Sequence, residues 1–445
     1  MAKKSSVIKW ILVLLAVCVL LLIVLLVSSA GKQRTKIDYV AEYNRISKPA
    51  NFNPNENAAP YLRKPFEIIT EEPNDIKPFH KLWPNDMNEE QRRIAKQWIE
   101  SNRQTFDDIK QGITKPYYWR PLRSDNNDLM NAETNDLWLF REAAYLLCMD
   151  AKFIAIQGQT EPAMRQLVDV YKMGTFLTGH KCLIEQLVGS SISALSVQSA
   201  LQILYNTNTS PAILEDLQKR ISSFASKQPF VADFTAEKLM FYDWIERTCV
   251  GKDQPKLSEH PGLIFKKIFL GTVGLACAAR EKRKADIMYD YLNSAAYRMP
   301  WQLHSEGNDV DRVIEKMVKG TIYLRIFAPA DSRVLLISYR VQVQTDALIA
   351  TTAILRYKAD KGSYPQDLQE LIATGYLDKL PMDPFSGGPL TYKLSGDSFK
   401  LYSFAQDLDD DGGKHDPEWA DEGDGDYVFW PVQKIETTDR TKKQN

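Results

Sequence analysis

The stretch Asp407-Leu408-Asp409-Asp410-Asp411-Gly412 opens an acidic loop that runs to Asp426, near the end of this 445-residue chain. The loop carries eight Asp and two Glu against a single Lys, and carboxylates this dense repel one another unless water or a cation separates them. Asp at alternate positions followed by Gly is a spacing that wraps oxygen ligands around Ca²⁺. We therefore expect a calcium-stabilised module, with ligands from Asp407, Asp409, Asp411 and some of Asp421, Asp424 and Asp426.

Two other interpretations of this loop stay open. If Asp407 is ligand position one of an EF-hand, Glu418 falls at position twelve, where that motif has its bidentate carboxylate. However, residues 399–404 alternate apolar and polar like a strand, and Pro417 resists an exiting helix, so paired helices are not expected. The remaining alternative is a solvated acidic surface loop.

Further motifs occur in order around the loop. A helix end reads Tyr357-Lys358-Ala359-Asp360-Lys361-Gly362-Ser363-Tyr364-Pro365, a turn reads Asp383-Pro384-Phe385-Ser386-Gly387-Gly388, and a closing strand reads Gly425-Asp426-Tyr427-Val428-Phe429-Trp430. Together, Thr352 to Trp430 resemble the globular head of the major pseudopilin of type II secretion systems. The resemblance implies that the loop binds calcium for folding. It makes Asp407 and Asp426 the best-matched ligands and places Ser403 at a further matching position.

The N-terminus departs from that family. It reads Met1-Ala2-Lys3-Lys4-Ser5-Ser6, without the family's short leader, and the apolar run that follows contains no Glu. The whole chain instead resembles a group of uncharacterised bacterial envelope proteins with one membrane anchor, a helical region and a pseudopilin-like tail. We therefore do not expect a pilus subunit.

The apolar run indicates the compartment. Residues 11–27 have no polar side chain, and the segment 7–30 is long enough to cross a bilayer as a helix. A cleaved signal peptide ending at Ser28-Ser29-Ala30 is the alternative, although its apolar core is usually shorter. Either way, we expect the C-terminal bulk outside the cytoplasm, with the retained anchor crossing the bacterial inner membrane once.

The composition excludes some functions. A net charge of −1 argues against a nucleic-acid partner, and the five histidines have no metal-ligand spacing. No G-x-S-x-G elbow or phosphate loop is found, so we predict no catalytic residue, no cofactor other than calcium and no small-molecule substrate. Beyond Cys18 in the anchor, four cysteines remain. They could form two disulfides in an oxidising envelope, but the sequence favours buried free thiols: Cys148, Cys182, Cys249 and Cys277.

The periodicity predicts a mainly α fold, and the resemblance implies that a small α+β head with an antiparallel sheet follows it. We divide the chain into an anchor (1–30), a Pro-rich extended stalk (31–86), a helical domain (87–330), a head on a long helix (331–432) and a disordered tail (433–445). Helical patterns at 135–157, 161–178, 183–205 and 211–224 resemble tetratricopeptide-type hairpins, although the strict 34-residue signature is not found. Asp331 is the predicted N-cap of a helix running to Asp360.

These features predict a non-enzymatic interaction or scaffold module linked to secretion or cell-surface machinery, with a protein partner that the sequence does not name. One alternative is a minor pseudopilin-like filament component. Another is a hydrolase whose site is assembled from dispersed carboxylates.

Overall fold

The computed structural model describes residues 37–73, 78–134, 136–227, 230–250, 261–416 and 425–433. The predicted anchor at 1–30 and the tail from residue 434 onward lie outside these ranges.

The described residues are mainly helical, with a small antiparallel sheet near the C-terminus. The α-helices are α1 (Tyr39–Ser47), α2 (Ala59–Ile68), α3 (Glu89–Ser101), α4 (Phe106–Thr114), α5 (Leu137–Ile156), α6 (Thr160–Thr175), α7 (Leu183–Asn206), α8 (Pro211–Lys227), α9 (Thr235–Val250), α10 (Pro261–Ala295), α11 (Pro300–Ser305), α12 (Val310–Val318), α13 (Leu324–Lys361) and α14 (Leu368–Ala373). The strands are β1 (Thr391–Ser395), β2 (Ser398–Ser403) and β3 (Tyr427–Trp430).

Helices α5, α6 and α7 pack on one another in the middle of the molecule, and α13 packs on α7 and α8. The four predicted helical patterns between 135 and 224 are confirmed as α5 to α8, with ends that differ by up to three residues. The small residues of α7 allow a close approach to α6: a Cβ added at Gly189 would lie 2.5 Å from the carbonyl oxygen of Gly174. Helix α7 is also long and apolar enough to cross a membrane, but two-thirds of that stretch is buried, as expected for a core helix.

The predicted extended stalk is wrong for the described part of residues 31–86. This part forms α1, α2 and short 3₁₀ helices, and Leu62, Phe66 and Trp83 belong to the main apolar core. Prolines do not prevent this. Pro54 and Pro84 lie in first turns, where a missing N–H would have no helical partner in any case, and α2 continues through the buried Pro65 in its interior. The segment is therefore part of the helical body.

Helix α13 begins seven residues before the predicted N-cap Asp331, which instead lies inside the helix and is only 2% exposed. The reason is a distant acceptor. The buried Glu281 of α10 accepts hydrogen bonds from the backbone N–H groups of Ile322 (2.8 Å) and Leu324 (3.0 Å). These donors at the helix start would otherwise lack partners, so Glu281 allows the helix to start before Pro329.

The head follows α13. The helix ends at Gly362, whose φ of 78° is the left-handed conformation that terminates many helices. The three strands lie in the order β1-β2-β3 and are antiparallel, as predicted. The head and the helical body share one apolar core: Tyr205 of α7 packs edge-on against Trp430, with ring centroids 5.2 Å apart.

Candidate metal centre

The acidic loop connects β2 to β3, and its described residues are 404–416 and 425–426. Two non-glycine residues near its start, Ala405 (φ 61°) and Leu408 (φ 67°), adopt the left-handed conformation. At its far end, the backbone N–H of Asp426 donates to the carbonyl of Lys414 (2.8 Å), and the N–H of Asp416 donates to the carbonyl of Asp426 (2.9 Å). The loop therefore folds back on itself and brings both of its ends together beside the sheet.

Three predicted ligands come together in this loop. One carboxylate oxygen from each of Asp407, Asp409 and Asp411 lies within 4.8 Å of the other two. Calcium–oxygen distances are about 2.3–2.6 Å, so two ligands of one ion are at most about 5 Å apart. The spacing of these three carboxylates therefore fits oxygens around a single cation.

Asp426 lies at the other end of the same loop and is not among the three grouped carboxylates. Its side chain is 0% exposed, and its Oδ2 accepts a hydrogen bond from the N–H of Gly413 (2.6 Å). Its Oδ1 and Asp411 Oδ2 are both buried and have no hydrogen-bond partner among the described residues. A buried carboxylate oxygen without a partner is costly, and a bound cation would remove that cost.

Electrostatics point the same way. Burial, together with the charges of Asp410, Asp411 and Asp407, raises the pKa of Asp426 to about 6. These carboxylates therefore lie close enough to repel Asp426. A divalent cation between them would convert this repulsion into attraction.

Asp410 lies in the same run but has different partners. Its Oδ1 accepts hydrogen bonds from the hydroxyl of Tyr402 (2.6 Å) and the N–H of Gly412 (2.9 Å), and its Oδ2 lies 3.6 Å from Lys393 Nζ. The Tyr402 hydrogen bond lowers the pKa of Asp410. Asp410 thus ties the loop to the sheet.

Of the remaining predicted ligands, Asp421 and Asp424 lie outside the described residues, and Ser403 has another partner. The Ser403 hydroxyl donates to Asp383 Oδ1 (2.7 Å). Asp383 also accepts from the backbone N–H groups of Phe404 (3.0 Å) and Phe385 (3.1 Å). Ser403 as a metal ligand stays a prediction, whereas its observed bond ties the end of β2 to the Asp383-Pro384 turn.

Sequence reasoning missed the role of Asp383. The Asp-Pro turn signalled a side chain that caps its own backbone two residues on, as the Phe385 hydrogen bond does. Its partners on β2 are about twenty residues away, so only the fold brings them together. His415 also has a structural role: its Nδ1 accepts from the N–H of Val428 (3.1 Å), and burial lowers its pKa.

A second candidate region is a cavity of about 830 Å³ between α8, α13 and residues 375–381. Among its carboxylates, Glu215 is paired with Lys219 (2.6 Å) and Arg356 (3.7 Å). Burial raises the pKa of Asp346 to about 6, opposed by the charge of Lys379. The cavity thus offers the hydrolase alternative one carboxylate with a raised pKa, Asp346, and that alternative stays a prediction.

Comparison with protein-family models, with curated proteins and with solved structures finds no match for this chain. The resemblance to the pseudopilin head therefore stays a prediction, and the loop geometry alone supports a metal centre.

Proposed function

We propose that this chain is a non-enzymatic, membrane-anchored envelope protein whose pseudopilin-like head is stabilised by Ca²⁺ and acts as an interaction or scaffold module. The observation that carries the calcium proposal is the grouping of Asp407, Asp409 and Asp411, with the unpartnered Oδ1 of Asp426 buried in the same loop. The anchor would be the segment 7–30. The protein partner would belong to secretion or cell-surface machinery.

The donor set favours calcium over a transition metal. The grouped atoms are all carboxylate oxygens, which suit hard cations, and softer metals prefer imidazole or thiolate. Mg²⁺ requires a nearly ideal octahedron and gives up its waters reluctantly, whereas Ca²⁺ accepts six to eight oxygens in a flexible arrangement. A loop with several carboxylates and irregular backbone therefore suits Ca²⁺ better.

Stabilisation by the ion follows from the position of the loop. It joins β2 to β3, and β3 contributes Trp430, whose ring stacks on Phe399 of β2 with centroids 5.3 Å apart. Neutralising the loop charge would hold β3 in register and keep this pair closed. Calcium release would loosen the edge of the sheet and the surface of the head that the loop forms.

The test is thermal unfolding of the full-length protein in detergent, with excess CaCl₂ and then with chelator. Ligand linkage predicts a stabilisation of about 2.7 kcal/mol when free calcium is a hundredfold above its dissociation constant. We expect the double variant Asp407→Ala/Asp426→Ala to lose this shift. The matched control is Asp397→Ala, which removes an exposed carboxylate from the β1–β2 turn and should keep it.

A calcium shift of equal size in the double variant would place the ion elsewhere and reject this site. An equal shift with MgCl₂ would reject calcium as the preferred ion. If neither ion changes the unfolding temperature of the wild-type protein, the loop is a solvated acidic surface.

A further inference from the structure

Helices α9 and α10 form an antiparallel pair joined by a ladder of polar contacts. The Tyr242 hydroxyl donates to Asp286, and Lys282 pairs with Glu246 one turn further along. Each step of four residues forward on α9 therefore matches four residues back on α10. Continuing the ladder by one more turn places residue 250 of α9 opposite residue 278 of α10.

The residue directly before each of these positions is a cysteine, Cys249 on α9 and Cys277 on α10. The Cys249 thiol contacts the Cys277 thiol and the hydroxyl of Tyr323. Both cysteines are partly exposed, whereas Cys148 and Cys182 are buried. The helix register brings the two cysteines to the same level of the helix pair, and the contact places their thiols together.

We propose that Cys249 and Cys277 form a disulfide that crosslinks α9 to α10. This inference depends on the proposed function in one respect, which is the export of the chain to a compartment with an oxidant. An envelope compartment supplies disulfide-bearing oxidants, and a reducing cytosol does not. The other two buried cysteines stay as free thiols.

The reaction is two successive thiol–disulfide exchanges. One thiolate attacks a disulfide of the oxidant, which is either a small disulfide such as oxidised glutathione or a disulfide oxidoreductase, and one oxidant thiol leaves. The second cysteine thiolate then attacks the mixed disulfide, forms the Cys249–Cys277 bond and releases the other oxidant thiol. Two electrons pass to the oxidant, and the two protons lost by the cysteines end on its released thiols.

The surroundings of the Cys249 thiol affect the rate of its oxidation. Burial is the main cause that raises the pKa of the Cys249 thiol to about 11, and the nearby Cys277 and Glu281 contribute to this rise. Little thiolate is present at neutral pH, so oxidation by a small disulfide should quicken roughly tenfold per pH unit between pH 7 and 9. A disulfide oxidoreductase would be needed for rapid closure at neutral pH.

The crosslink would act on the helix that carries the head. Glu281 lies one turn after Cys277 and accepts hydrogen bonds from Ile322 and Leu324, where α13 begins. Tyr323, between these two residues, contacts Cys249. A bond between α9 and α10 would therefore also hold the start of α13 in place.

The experiment uses reduced full-length protein in detergent, incubated with oxidised glutathione at pH 8, quenched with N-ethylmaleimide and mapped by peptide mass spectrometry. We expect a Cys249–Cys277 linked peptide and an unfolding temperature about 5 °C higher, both reversed by dithiothreitol. Cys249→Ser should abolish the link and the shift. The matched control Cys148→Ser should keep both.

The proposal is overturned if native protein yields no linked peptide although both thiols react with N-ethylmaleimide, or if Cys249 links to a different cysteine. If Cys249→Ser fails to fold, the reversal by dithiothreitol in wild-type protein still decides the question. The measurement is repeated with calcium and with chelator. A missing crosslink with an intact calcium shift rejects only the disulfide, and the reverse result rejects only the calcium site.

Discussion

Asp383 is the residue whose removal we expect to damage the head most. Its buried carboxylate accepts hydrogen bonds from Ser403 Oγ and from the backbone N–H groups of Phe404 and Phe385. Asp383→Ala would leave these three donors without that acceptor. Each buried donor that loses its partner costs about 1–3 kcal/mol, so we expect the head to lose roughly 3–5 kcal/mol of stability.

Three variants separate the hydrogen bonds from the change in charge. Asp383→Asn keeps one carbonyl oxygen and should cost less than Asp383→Ala. Ser403→Ala removes one donor to Asp383 and the acceptor of the Ala405 N–H, and should cost about 1–2 kcal/mol. Asp397→Ala removes an exposed carboxylate from the same sheet and should change stability by less than about 0.5 kcal/mol.

The assay is amide hydrogen exchange followed by mass spectrometry, because it measures the head separately from the helical body. Peptides covering β2 and β3 report the local opening free energy, and peptides covering α5 to α7 serve as an internal reference. Faster exchange in β2 and β3, with unchanged exchange in the reference helices, is the expected result. If exchange in β2 and β3 under Asp383→Ala stays within about 0.5 kcal/mol of wild type, Asp383 does not hold the head together.

Three further predictions concern the helical body. Burial, assisted by the charge of Glu237, raises the pKa of Asp331 to about 8. The folded protein therefore keeps this carboxyl neutral up to about pH 8, whereas the unfolded chain ionises it near pH 4. The folded state loses stability as the pH rises between these two values. Thermal midpoints of Asp331→Asn should therefore exceed wild type by more at pH 9 than at pH 5, and a pH-independent difference would contradict this. A Cβ at Gly174 would lie 2.1 Å from Ser193 Oγ and 2.6 Å from the carbonyl oxygen of Gly189. Gly174→Ala should therefore lower the free energy of unfolding by about 2–3 kcal/mol in denaturant unfolding. Gly388→Ala, where the nearest atom to the added Cβ is 3.8 Å away, is the near-neutral control. Asn88 forms a capping box with Gln91 at the start of α3, so Asn88→Ala should cost about 1 kcal/mol by the same measurement, and a neutral result would mean that packing alone positions α3.

The helices with a regular apolar pattern were predictable because apolar residues recur every three to four positions along one face of a single helix. Helices α5 to α8 follow patterns of apolar residues that a single element carries by itself, whereas the small head with its sheet was expected from the resemblance to the pseudopilin head. The N-terminal segment was predicted as a stalk because its prolines are frequent and its apolar runs are short. Its helices are stabilised by packing Leu62 and Phe66 against other helices, which local patterns do not record.

The start of α13 shows the same limit. Pro329 followed by Asp331 is a reasonable helix start, yet the helix begins at Leu324 because Glu281 of another helix accepts the first free N–H groups. The local signal at Asp331 therefore did not predict the helix start, because the buried acceptor Glu281 lies about forty residues away in the sequence.

In the candidate metal centre, the sequence by itself determined the grouping of Asp407, Asp409 and Asp411, because alternate positions in a short loop turn their side chains toward one another. Only the tertiary structure decided which of the other polar groups join them. It buried Asp426 with one unpartnered oxygen in the same loop and paired the Ser403 hydroxyl with Asp383. Elsewhere in the fold, it brought Cys249 into contact with Cys277. The physical reason is that burial and long-range pairing depend on how distant segments pack, whereas the spacing of neighbouring side chains depends on the local backbone.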